Sequence, residues 1–136
     1  MEKIVLSKNH LRAIGASLLI VEELLQEMEY VLNHFNDGVL SKMNDDISDE
    51  TKDSSLKTIT EARALVEELS LKYELPVRKL NMSRFIESRN TKIWEILSGT
   101  SSKKLRGYGK FPQEHSTEFD NDIQKLLDIT NQIELQ

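Results

Sequence analysis

Residues 11–35 read LRAIGASLLIVEELLQEMEYVLNHF, with apolar side chains at Leu11, Ile14, Leu18, Val21, Leu25, Met28, Leu32 and Phe35. Steps alternating between three and four follow the 3.6-residue period of an α-helix, which places all eight on one stripe. The stretch predicts one amphipathic helix of about 28 residues, roughly 40 Å long, ending at the Asn36-Asp37-Gly38 stop. A helix of that length gains most of its stability by packing its apolar face, so partners are needed along it.

Working outward, residues 39–53 mix scattered apolar positions with Asp45, Asp46, Asp49, Glu50 and Asp53 and are expected to form a loop, with room for a short helix within it. A second helix is expected over about residues 54–75, with Ile59, Ala62, Val66, Leu69 and Tyr73 on one face. Thr58 and Glu61 have capping-box spacing, which would allow a start as late as Thr58. A third segment over about residues 77–97 carries Leu80, Met82, Phe85, Ile86, Ile93, Trp94, Ile96 and Leu97, with a bend expected near Asn90. Residues 98–112 hold Gly99, Gly107 and Gly109 and read as a loop, with residues 100–105 available to prolong the helix. Ser116 is the expected N-cap of a last helix that buries Phe119, Ile123, Leu126, Thr130 and Ile133. Four amphipathic helices joined by modest connections predict an all-α fold, an antiparallel four-helix bundle with one long N-terminal helix, as a single domain over residues 1–136.

Composition agrees. The 136 residues are 38% hydrophobic and 30% charged, with only five glycines and two prolines, too few for the turns of an all-β fold. There is no cysteine, which removes disulfides, thiolate metal sites and thiol nucleophiles. The opening MEKIVLSKNH lacks a secretory layout, and the longest uncharged run, Ala13 to Val21, is shorter than the roughly 20 residues of a membrane span. A cytoplasmic protein without a membrane segment is the expectation.

Charge is segregated. Residues 1–77 carry a net charge of −7, residues 78–110 of +7 and residues 111–136 of −5. The basic stretch either pairs with acidic helices or faces outward to bind phosphate, nucleic acid or an acidic partner. Arg84, Arg89, Lys103, Lys104, Arg106, Tyr108 and Lys110 are the candidates for such an anion or nucleic-acid surface. Arg106-Gly107-Tyr108-Gly109-Lys110-Phe111 locally resembles the first ribonucleoprotein motif of RNA-recognition domains. Lys110 stands where that motif has an aromatic and no βαββαβ pattern surrounds it, which leaves either a solvated loop that tucks Tyr108 and Phe111 against the bundle or a flexible loop that grips a single strand by charge and stacking. Arg89 falls where the stripe Met82, Ile86, Ile93, Ile96 calls for an apolar residue, which suggests a snorkelling edge position.

Catalytic and metal constellations are not expected. None of the three histidines, His10, His34 and His115, belongs to a Glu-x-x-His or His-Glu-x-x-His arrangement, the spacings of di-iron and zinc sites. Glu22-Glu23 and Glu67-Glu68 lie on polar helix faces, as solvated charge does. No cofactor is implied. One apolar feature remains unabsorbed: Leu18-Leu19-Ile20-Val21 is apolar all the way round the helix, after the small residues Ala13, Gly15, Ala16 and Ser17. Either the 39–47 connection folds over that turn or another molecule does. Ala13, Ala16, Leu19 and Ile20 are therefore the candidate self-association surface, and a non-enzymatic, homodimeric protein–protein interaction module is the leading expectation, with nucleic-acid or phosphate binding by residues 78–110 as the alternative.

Overall fold

A computed structural model describes residues 5–34 and 38–133. Every regular element among them is helical: α1 (Lys8–Asn33), α2 (Asp49–Lys72), α3 (Met82–Ser98), the single turn α4 (Ser102–Leu105) and α5 (Ser116–Thr130). The chain divides into two compact units, Met1–Val77 and Arg78–Gln136. No helix among the described residues is long and apolar enough to cross a membrane.

The first unit is an antiparallel hairpin of α1 and α2. Its register is set at one end by Arg63, whose Nη1 donates to Glu29 Oε2 at 2.8 Å. At the other end Gly15 lies beside Pro76, where a Cβ would meet the ring Cδ at 3.6 Å. The long helix begins three residues before the periodic stripe, because the Ser7 hydroxyl accepts from His10 N–H and caps it. The expected stop at Asn36-Asp37 lies outside the described residues.

The second helix starts earlier than the apolar pattern suggests. Ser48 caps it by accepting from Thr51 N–H, and Asp49 and Glu50 occupy the positive end of the helix dipole, so the acidic run read as loop is the first turn. Thr58 sits in the helix interior and donates to Ser54 O instead of capping. At the other end Leu75 N–H reaches Ser70 O and Glu74 N–H reaches Leu71 O, the paired bonds of a Schellman stop. Glu74 holds the left-handed φ of 51° that this motif usually assigns to glycine.

In the second unit α3 and α4 pack on α5. α3 starts at Met82 after Asn81, five residues later than the sequence suggests, and runs through Asn90 without a break. Its half-buried stripe is Ile86, Asn90, Ile93 and Leu97, so Arg89 lies on the exposed side and lays its guanidinium 4.7 Å from the Phe85 ring centroid. α4 is a separate turn capped by Ser101, and α5 is preceded by His115 rather than capped by Ser116, whose hydroxyl bonds back to Pro112 O. Leu127 replaces Leu126 on the packed side of α5, and Phe111 meets Phe119 at 5.2 Å between centroids.

The core is thin. Leu25 at 9% exposure and Ile59 at 7% are the buried hydrophobic residues among those described, and both lie in the hairpin.

Candidate functional site

Successive residues of an α-helix are turned by about 100°, so one helix can present two neighbouring stripes. On α1, Leu11, Ile14, Leu18, Leu25 and Leu32 line the side toward α2 and are buried or half-buried. Beside them runs a second stripe of Ser17, Ile20, Leu24, Met28 and Val31, whose centre is wet: Ile20 is 57% exposed and Leu24 53%. Val21, between the stripes, is exposed too, although the sequence places it in the core. The antiparallel hairpin turns the equivalent flank of α2, with Thr58, Ala62, Leu65 and Leu69, to the same side. Together they form one apolar face across both helices.

Toward the loop end this face opens into a groove of about 590 Å³ floored by Leu32 and Ile59 and walled by Met28, Val31, Ile47 and Thr58. Ile47 is held there by a local clasp. Asp45 accepts the Ile47 N–H and pairs with Lys52, and these bonds lower the Asp45 carboxyl and raise the Lys52 amine relative to their ordinary values. A smaller cleft of about 60 Å³ lies between residues 43–47 and Val31, Leu32 and Lys52. The connection thus lies against the C-terminal end of α1 and leaves Ile20 open.

The four residues singled out on α1 do not form one surface. Ala13 and Ile20 belong to the open face and Ala16 to its margin, all exposed, while Leu19 is half-buried on the opposite flank. Sequence reading missed Leu24 and Val31 and assigned Met28 to the core stripe. The signal was present in the doublets Leu24-Leu25 and Val31-Leu32, each of which advances a second stripe by one residue.

The basic candidates all lie in the second unit, and all are exposed: Arg84 and Arg89 on α3, Lys103 and Lys104 on α4, Arg106 and Tyr108 on the following 3₁₀ turn, and Lys110 beyond it. None of these six cations forms an ion pair among the described residues. Tyr108 is 92% exposed, not tucked in as Phe111 is. The α4 turn that carries the lysines is fixed by Asp120 of α5, which accepts from Ser102 N–H at 2.8 Å and from the Ser102 hydroxyl at 2.7 Å. Those two bonds favour the ionised form and hold the Asp120 carboxyl below its ordinary value. No sequence motif announces this pair.

No group of three or more His, Asp or Glu side chains is placed to hold a metal among the described residues. Compared with protein-family models, curated proteins and solved structures, the chain matches none.

Proposed function

We propose that the chain is a non-enzymatic helical interaction module whose α1–α2 hairpin docks another protein surface through its open apolar face. The observation that carries this reading is the second stripe on α1, apolar from Ile20 to Val31 and left wet from Ile20 to Met28. Its apolar side chains are about half exposed, so covering what remains wet is worth about half of the roughly 1.5–3 kcal/mol of full burial for each, a stabilisation that docking recovers. The test is dye accessibility at nanomolar concentration, below self-association: a probe of exposed apolar surface should bind the monomeric chain, and Leu24→Glu with Met28→Glu should abolish that binding while helicity is kept. Retained dye binding in the double variant would remove this face from the reading.

The basic surface of the second unit supports a second reading, nucleic-acid or phosphate binding. Its specific observation is Tyr108, a ring free to stack, standing among Lys103, Lys104, Arg106 and Lys110. Binding of a labelled single strand that weakens steeply with salt, and weakens further in Tyr108→Ala, is its signature. Failure to shift any strand at low salt would end it. As a soluble cytoplasmic location is proposed for both readings, fractionation of the native cell tests that assignment.

A further inference from the structure

Resting on the interaction reading above, we infer that the occupant of the hairpin face is a second copy of the same face, related by a twofold axis that crosses α1 at Leu24 and α2 at position 67. The pattern of the stripe leads there. From Leu24, a step of four and then of three reaches Ile20 and Ser17 in one direction, and Met28 and Val31 in the other. A palindromic stripe superposes on itself when its helix is reversed. An antiparallel copy of α1 therefore sets Leu24 on Leu24, Ile20 on Met28, and the small Ser17 opposite Val31, all in one register.

The partner helix gives the same axis independently. On the open flank of α2, Leu65 and Leu69 lie equally far on either side of position 67. Position 67 stands opposite position 24 in the register fixed by Glu29 with Arg63 and by Gly15 with Pro76. One axis, perpendicular to the helices and lying between the two faces, serves both, stacking α1 on its copy and α2 on its copy as two layers of two helices.

Charge at the margin agrees. Exposed Glu61 and Lys72 lie on the outer edge of the α2 flank, and reversal about position 67 brings Lys72 of one copy within one residue of Glu61 of the other, at two equivalent places. The extent is sufficient as well. Two helices about 10 Å wide over the roughly 27 Å from Ala13 to Val31 present roughly 500 Å² on each copy. Pairing the two faces buries ~1,000 Å² in total, which reaches the lower bound of a specific interface.

The chain's lack of cysteine allows a direct test in the full-length protein. Sedimentation at tens of micromolar should give a dimer, and Leu24→Cys should cross-link to a covalent dimer with a short bis-maleimide, whereas Leu71→Cys, exposed on the opposite side of the hairpin, should not. Leu24→Glu should weaken the dimer at least ~100-fold, since each dimer loses two buried leucines. Glu61→Lys should weaken it several-fold and the exchanged double variant Glu61→Lys, Lys72→Glu should restore it. A monomer in which the thiol of the Leu24→Cys variant reacts rapidly with a maleimide would overturn the second copy but leave an open docking face. A monomer in which that thiol is protected would show the face covered within the chain and overturn both readings. Cross-linking of the Leu71→Cys variant and not of Leu24→Cys would place the dimer contact elsewhere and overturn the axis.

Discussion

Replacing Ile59 by alanine removes one of the two buried hydrophobic side chains found among the described residues, and its effect follows from where that side chain lies. At 7% exposure nearly all of it is withdrawn from water. The change deletes three carbons, which at about 0.8 kcal/mol each amounts to ~2.4 kcal/mol of transfer free energy. Ile59 also floors the open groove, so the deletion enlarges a space already joined to solvent and leaves no sealed cavity. The cavity contribution that lifts other isoleucine truncations toward 5 kcal/mol is therefore small, and about 2–3 kcal/mol is expected. A unit of this length has about 4–11 kcal/mol in total, and a two-residue core places it at the low end. The variant should lose roughly half its stability, a fall of about 2 M in the urea midpoint for a slope near 1 kcal/mol/M. Far-ultraviolet ellipticity is the readout, with Trp94 emission following the second unit separately. Leu71→Ala, at an exposed site on the same helix, should stay within about 0.5 kcal/mol. A loss under about 1 kcal/mol for Ile59→Ala would refute the assignment of the core.

Ser48→Ala should cost ~1 kcal/mol in urea melts by releasing Thr51 N–H at the start of α2, with no change in helical content once folded. Glu74→Gly should stabilise the hairpin by ~1 kcal/mol, because a residue at φ 51° meets the left-handed penalty that glycine escapes; an unchanged or lowered melting temperature would contradict this. Asp120 binds its proton less readily in the folded than in the unfolded chain. Its stabilisation of the second unit is therefore complete above the ordinary aspartate value of 3.8 and is lost as pH falls through the lower folded-state value. Asp120→Asn should remove that acid-side slope from melting curves, and an identical slope in the variant would place the proton uptake on another carboxylate.

The all-helical class and the long first helix were legible because an uninterrupted three-four pattern has few structural solutions. Boundaries were less so wherever a polar group, not the apolar stripe, starts or stops the helix. Ser48 and the acids after it look like a loop until Thr51 N–H is seen to need a partner. The missed face on α1 has a different cause. Reading for one stripe assigns Val21 and Met28 to a core, whereas a helix packed on one neighbour buries only the part of that stripe nearest it, and Val21 and Met28 join Ile20 and Leu24 in the exposed face. Leu19 and Ile20 were grouped because both fall away from the core stripe in a turn that is apolar all the way round, but the two point about 100° apart and so lie on different flanks. The Ser102–Asp120 bond spans 18 residues, from the start of the single turn α4 to the second turn of α5, and no period or motif encodes it.

The antiparallel hairpin has a kinetic consequence. Its contacts form a ladder of increasing loop size: Lys52 meets Asp45 across seven residues, Arg63 meets Glu29 across 34, and Pro76 meets Gly15 across more still. Closing a loop costs entropy that rises with the logarithm of its length, so the rungs nearest residues 43–47 are the cheapest to form first, and each shortens the effective loop for the next. Folding of this unit then runs as a zipper from the Asp45–Lys52 clasp toward Pro76. Substitutions near the clasp act on the folding rate, and substitutions at Gly15 or Pro76 act on unfolding, although all lie on the same two helices.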